Sequence, residues 1–201
     1  MYHPQVPAKV WNTRRKLMGN LVPIVGALPF GAAGLAMAIA REGMIGPQLA
    51  VFGLMPVVGW LLMNFVGLWE NRAIRAELEN KLNPPRESNE RQVVFVGAAR
   101  PSYHGLLDPH EDVGFLIVEQ DRIQLLGEEL RFSLAKKDLY GAHFRPNAHT
   151  MVGLGRWISV EGKMEDTPIR LLIEPREKQT LWGNRRLSKG LQRRLQAWIK
   201  S

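Results

Sequence analysis

Two long uncharged apolar segments dominate the pattern of hydrophobic and polar positions along this chain. Residues 21–40 and 47–69 contain no Asp, Glu, Lys, Arg or His, and a short hinge at residues 41–46 separates them. About 20 apolar residues suffice to cross a bilayer as a helix, because the hydrocarbon core is about 30 Å thick and each helical residue rises about 1.5 Å. The pattern therefore predicts a transmembrane hairpin of two helices.

The chain becomes polar after the second apolar segment. Residues 70–82 have helix-forming composition and balanced charge, so we expect them to prolong the second helix out of the membrane. The prolines at positions 84 and 85 should end that helix, since proline cannot continue helical hydrogen bonding. Residues 70–92 are therefore predicted to form a juxtamembrane helix and linker.

From residue 93 onward, short apolar runs alternate with turns that contain Gly, Pro and Asp. This pattern favours an antiparallel sandwich or a partly open barrel. The predicted strands are residues 93–96, 113–119, 122–126, 130–134, 139–144, 150–154, 157–160 and 169–173.

The last segment of the chain has helical periodicity. Leu187, Leu191, Leu195 and Trp198 form one apolar stripe, which predicts an amphipathic helix packed on the strands. The predicted fold class is thus an α+β membrane protein, in which a two-helix transmembrane hairpin precedes a small antiparallel sandwich or barrel closed by a C-terminal helix.

The distribution of charge predicts the orientation. The net charge is +8, and residues 1–20 contain four basic side chains and no acid. Basic residues flanking a span stay in the cytoplasm, so residues 1–20, both termini and the domain at residues 93–201 are predicted to be cytoplasmic. A signal peptide is the alternative for residues 1–40, although its apolar run exceeds the usual length of about 7–15 residues and a second span follows. The chain has no cysteine, as expected in a reducing compartment.

The hairpin contains small residues that permit close packing of helices. Ala27, Gly31 and Gly34 are candidates for helix contacts within the membrane. Asn64 is the one strongly polar side chain deep in the second span, and we expect it to find a hydrogen-bond partner across the hairpin or in another subunit. Neither span carries an ionisable group, which argues against transport by the hairpin alone.

The domain at residues 93–201 resembles the pleckstrin-homology (PH) superfold, including the bacterial PH-like and GRAM-like domains. The resemblance is carried by the strand series at residues 113–144, the segment 156–160 and the helix 187–199 with Trp198. It implies that Trp198 is a core residue and that the domain is a binding or scaffolding module. Phosphoinositide-binding members carry Lys and Arg in the first hairpin, whereas residues 104–112 of this chain are acidic.

The densest group of possible metal ligands lies in the loop before residue 113. Its members are His104, Asp108, His110, Glu111 and Asp112. Their spacing matches no established metal signature, and we interpret them as a solvated loop. Residues 153–155 contain two glycines but lack the other features of a phosphate loop. The sequence therefore predicts no catalytic residue, no metal and no cofactor.

The C-terminal helix carries a basic surface. Its members are Arg185, Arg186, Lys189, Arg193 and Arg194. Such residues near a membrane attract anionic headgroups, or they contact an acidic partner. The alternative is the solvated polar face of a packed helix. No nucleic-acid-binding motif accompanies them.

These observations favour a non-catalytic protein of a bacterial inner membrane with a PH-like cytoplasmic domain. It is expected to act as an accessory subunit, assembly factor or scaffold in a larger membrane complex, with the bilayer and a membrane protein as partners. The alternative function is a membrane-surface sensor that binds anionic lipid through the basic helix.

Overall fold

The computed structural model describes residues 9–40, 45–66, 68–85, 92–99 and 112–201. Within these residues the chain has the predicted α+β class, with two long apolar helices before an antiparallel sheet. The helices are α1 (Thr13–Ala40), α2 (Ile45–Phe65), α3 (Asn71–Leu82), α4 (Ala148–Met151) and α5 (Leu181–Lys200). The strands are β1 (Gln92–Ala99), β2 (Asp112–Val118), β3 (Arg122–Gly127), β4 (Arg131–Ala135), β5 (Leu139–Arg145), β6 (Trp157–Met164) and β7 (Thr167–Pro175).

Helices α1 and α2 pack against each other and are both long and apolar enough to cross a membrane. They contain 28 and 21 residues. α1 begins at Thr13 rather than at residue 21, so its first turn carries basic side chains. α2 ends at Phe65 rather than at residue 69. No residue in the most apolar window of α2 is buried, so this helix exposes a large apolar surface.

Small residues of α1 approach α2 closely. A Cβ atom at Gly34 would come within 3.0 Å of the backbone nitrogen of Phe52. Gly31 faces a methionine sulfur of α2, and Ala27 is buried opposite Gly59. Ala27, Gly31 and Gly34 thus lie on the side of α1 that contacts α2.

α3 is a separate helix, and the prediction that it prolongs α2 is wrong. A turn that includes residues 68–70 separates Phe65 from Asn71. We call residues 92–201 the sheet domain. Contacts distant in sequence stabilise the turn, because Leu68 is buried against Leu154 and Leu181 of this domain. α3 ends where the sequence predicts, since Asn83 adopts a left-handed backbone conformation (φ 43°) just before the two prolines.

The strands of the described residues form one antiparallel sheet in the order β4-β3-β2-β1-β7-β6-β5. β1 pairs with both β2 and β7, and so joins a four-stranded half to a three-stranded half. Every strand and α5 contribute to a common core. Its buried members are Val94, Leu116, Ile123, Leu125, Leu134, Leu139, Ala142, Ile158, Val160, Leu171, Ile173, Leu191 and Leu195.

The seven strands of the described residues do not close into a full barrel, and the sequence predicted a sandwich or a partly open barrel. β4 and β5 lie at its two ends, and the pairings of the described residues do not join them. α5 covers the edge of β5 instead: Gln196 accepts a hydrogen bond from the Ala142 N–H, and Gln192 donates one to the Ala142 carbonyl, both at 2.8 Å. Side chains of the helix therefore occupy positions that a closing strand would need.

The strand predicted at residues 150–154 is wrong, because this segment begins in the short helix α4 and continues as a turn. Asn147 and Thr150 cap the helix reciprocally: the Asn147 side chain accepts from the Thr150 N–H, and the Thr150 hydroxyl accepts from the Asn147 N–H. The reciprocal capping by Asn147 and Thr150 thus favours a helix where the apolar residues predicted a strand.

α5 begins at Leu181, six residues before the predicted apolar stripe. The Thr180 side chain caps it by accepting from the Gly183 N–H at 3.0 Å. The buried face of its first two turns includes polar Asn184 and Ser188, so the apolar periodicity does not extend to the start of the helix. Near its other end, Trp198 is half-buried and packs against the core.

The approach of Gly34 to α2 leads to a first prediction. Gly34→Leu should push the helices of the hairpin apart and lower the free energy of unfolding by about 1–3 kcal/mol, as overpacking does elsewhere. Gly53→Leu is the matched control, because a Cβ atom at Gly53 meets nothing within 4 Å. Thermal unfolding in detergent, followed by tryptophan fluorescence, measures both. Equal destabilisation by the two variants would contradict the close approach at Gly34.

Candidate functional site

The last turn of α2 caps the first turn of α5. The Oδ1 atom of Asn64 accepts a hydrogen bond from the Trp182 N–H at 3.0 Å, and Asn64 is buried. The first N–H groups of a helix have no partner within the helix, which makes them strong donors for a nearby side chain. The partner expected for Asn64 across the hairpin or in another subunit is therefore found in the sheet domain instead.

An apolar cluster surrounds this cap. Leu68, Leu154 and Leu181 are buried together, and Met63 packs against them. The cluster joins the end of α2, the turn before α3, the loop after α4 and the start of α5. Full burial of one such side chain contributes about 1.5–3 kcal/mol. We call the Asn64 cap and this cluster the joint, since together they fix the sheet domain against the end of the hairpin.

α3 reinforces the joint from the other side. The Asn71 side chain donates to the Lys178 carbonyl at 2.6 Å, and the side chain of Gln179 donates to the Trp69 carbonyl at 3.2 Å. Arg75 forms an ion pair with Glu177. The segment that leads into α5 is therefore held along its length by the turn before α3 and by α3 itself.

The segment before α1 is attached to the turn between β3 and β4. The Glu128 carboxylate accepts from the N–H groups of Val10 and Trp11, both at 2.8 Å, and pairs with Lys81 of α3 at 2.8 Å. Burial favours the neutral acid, but Lys81 and the two N–H groups together outweigh it and lower the pKa of Glu128. Val10 is also buried in the apolar cluster between α3 and β2.

Arg15 connects the first turn of α1 to α3. Its guanidinium bonds to Glu70 at 2.7 Å and to Glu77 at 2.6 Å, and it donates to the Val10 carbonyl at 2.8 Å. The hydrogen bond from Arg15 lowers the pKa of Glu77. The start of α1 and the end of α2 therefore both contact the sheet side of the molecule, at the same end of the hairpin.

The basic residues of α5 fall into two groups. Arg185 is half-buried and donates to the Gly153 carbonyl, so it holds the loop after α4. Arg186 lies over the Trp182 ring, 4.0 Å from its centroid. Lys189, Arg193 and Arg194 are exposed along the helix, as Arg186 is. The positive surface thus begins at the joint and continues away from it.

A further arginine adds to the positive charge beside the loop. Arg156 stacks on Phe144 at 3.6 Å from the ring centroid. Burial is the main cause that lowers the pKa of Arg156, and the positive charge of Arg185 lowers it further. Two arginines therefore lie near each other next to the loop that follows α4.

Of the possible metal ligands in the loop before β2, only Asp112 lies within the described residues; His104, Asp108, His110 and Glu111 lie outside them. The Asp112 carboxylate is buried and accepts backbone hydrogen bonds from Glu129 at 2.9 Å and Leu130 at 2.8 Å. Its visible role is to hold the turn between β3 and β4. In the described ranges no three metal-ligating side chains cluster together.

No protein-family model matches this chain, and no curated protein sequence matches it. The resemblance to PH-like domains is therefore a prediction from the sequence, and the joint is defined by its geometry alone.

The Asn64 cap gives a second prediction. Asn64→Leu should leave the Trp182 N–H without an acceptor inside the joint and lower the free energy of unfolding by about 1–3 kcal/mol. Hydrogen exchange at the amides of residues 182–184 should accelerate. Asn80→Leu, on the exposed side of α3, is the matched control and should change neither quantity. Unchanged exchange in the Asn64 variant would contradict the cap.

Glu128 gives a third prediction, on pH dependence. Its pKa in the folded protein lies below the ordinary value of 4.5, so its contribution to stability is present above pH 4.5 and is lost as the pH falls through the lowered value. Glu128→Gln should lower the thermal midpoint at pH 7 and flatten its decline in acid. Glu129→Gln should behave like the parent chain, since the Lys9–Glu129 pair is solvent-exposed. A parallel decline in all three proteins would contradict this role for Glu128.

Proposed function

We propose that this chain is a non-catalytic integral membrane protein in which α1 and α2 cross a bacterial inner membrane. The sheet domain is then a cytoplasmic interaction module, held at the membrane as an accessory subunit, assembly factor or scaffold of a larger membrane complex. The observation that carries the proposal is the joint. It fixes a folded domain to a pair of apolar helices through buried contacts rather than through a flexible tether.

Three features support the membrane placement. Both helices have the length and apolar composition of spans, and α2 has an outer surface that the rest of the described protein does not cover. The basic first turn of α1 contacts α3 through Arg15, which puts the positive flank and the sheet domain at one end of the hairpin. Basic flanks remain in the cytoplasm, and the domain would then lie there too.

The element order supports a PH-like interpretation of the domain. Seven antiparallel strands precede one C-terminal amphipathic helix in the described residues, and strands and helix share one core. Trp198 packs at the edge of this core, while Trp157 at the start of β6 is fully buried. A domain of this type, fixed at the membrane, presents a constant set of surfaces to partners in the complex.

A second candidate function is the binding of anionic lipid by the basic helix. The exposed positions of Arg186, Lys189, Arg193 and Arg194 favour it. Each basic side chain near an anionic surface contributes about 1 kcal/mol, an attraction that salt weakens.

Extraction of the tagged full-length chain from its native membrane in mild detergent tests the two functions. We expect a stoichiometric set of membrane proteins to copurify, because the joint holds the surfaces of the sheet domain in a fixed position for partner proteins. Mass spectrometry identifies them. A lone monomer would overturn the scaffold function. A lone monomer that retains anionic phospholipid, and loses it when the four exposed basic residues are replaced by Gln, would establish the second candidate instead.

A further inference from the structure

The loop after α4 lies beside the apolar surface of α2 rather than beyond its end. The indole N–H of Trp60 donates to the Val152 carbonyl at 3.0 Å. Trp60 is one helical turn before Asn64, so this contact is further from the end of α2 than the joint is. If α2 spans a membrane, the loop must lie at the depth of the last turns of the span.

The side chains at this position are apolar and exposed. Met151 is 80 % exposed, Val152 is 44 % exposed and Trp182, at the start of α5, is 49 % exposed. Moving one CH₂ group from water into an apolar environment is favourable by about 0.8 kcal/mol. Met151, Val152 and Trp182 are therefore three exposed apolar side chains that an apolar environment would stabilise.

The loop is built to hold these side chains outward. Reciprocal caps between Asn147 and Thr150 fix α4, and the Thr150 hydroxyl also donates to the Gly155 carbonyl at 2.7 Å. Gly153 has a φ of +75°, a conformation that glycine adopts without strain, and Arg185 bonds to its carbonyl. The exposure of Met151 thus belongs to an ordered turn.

Positive charge lies beside these apolar side chains. Arg186 covers the ring of Trp182, and Arg185 donates to the Gly153 carbonyl of the loop. Tryptophan and arginine in this arrangement suit the region between hydrocarbon and headgroups, where the ring meets the acyl chains and the guanidinium meets the phosphate. This chemistry fits a lipid surface with anionic headgroups.

We infer that Met151, Val152 and Trp182 insert into the bilayer interface as a non-spanning membrane contact of the sheet domain, with Arg186 at the headgroups. We call these four residues the interfacial wedge. The inference rests on the proposed function in one respect, which is that α1 and α2 span the membrane. It goes beyond that function by assigning the contact to a loop and a helix start outside both spans.

The absence of cysteine from the chain permits a direct test. Full-length Met151→Cys, Met164→Cys and Leu35→Cys variants are each labelled with a nitroxide and reconstituted in vesicles of phosphatidylcholine and phosphatidylglycerol. Met164 is the matched control, since it is also an exposed methionine, 47 % accessible, but lies at the opposite end of β6 from the loop. Leu35 reports on the span, because it is an exposed residue of α1.

Spin-label collisions with oxygen, which concentrates in lipid, and with a water-soluble nickel chelate give the depth of each label. We expect the oxygen-to-nickel ratio at position 151 to be several-fold higher than at position 164 and lower than at position 35. A Val152→Cys label should repeat the result at position 151, which guards against a local effect of one substitution.

Three outcomes would overturn the wedge, and the third of them would overturn the membrane anchor as well. Equal ratios at positions 151 and 164, with a lipid-exposed label at position 35, would leave the anchor intact and exclude the wedge. Protection of position 151 from both reagents would show a protein neighbour there and would also exclude it. A water-exposed label at position 35 would overturn the proposed membrane span, and the wedge with it.

Discussion

The structure depends on how the first N–H groups of α5 are satisfied. A helix start buried in an apolar setting needs acceptors, and here one of them is Asn64, a side chain of α2. The cap places a polar contact inside the cluster of Leu68, Leu154 and Leu181. An unmet polar group at this position would cost about 1–3 kcal/mol, so the cluster and the cap specify one docking geometry together. The position of the start of α5 against the end of α2 follows from the cap and the cluster together.

The other attachments act on the same geometry from different directions. Arg15 connects the start of α1 to α3, and Glu128 connects the residues before α1 to the sheet. Both helices of the hairpin are therefore attached to the folded domain near the same end. A change in the separation of α1 and α2 at that end would disturb a buried carboxylate in the turn between β3 and β4. Contacts near that one end of the hairpin thus attach both of its helices to the folded part of the chain.

Local patterns in the sequence predicted the elements whose cause is local. The apolar composition of α1 and α2 identified both helices, and alternation with turn residues located most strands. The errors lie where distant contacts decide the structure. The turn before α3 is stabilised by burial of Leu68, and the start of α5 lies outside the apolar pattern because its buried face there includes polar Asn184 and Ser188. The partner of Asn64 is 118 positions away, and no periodicity in the sequence identifies such a contact.

The two glutamines of α5 that bond to Ala142 have a consequence for how copies of this chain meet. An unpaired strand edge is a template on which a strand of another molecule can add, and this is a common start of aggregation. Gln192 and Gln196 occupy the N–H and carbonyl of Ala142 at the β5 edge, so an incoming strand must break both bonds before it can pair there. The helix therefore opposes the addition of a foreign strand at this point of the β5 edge.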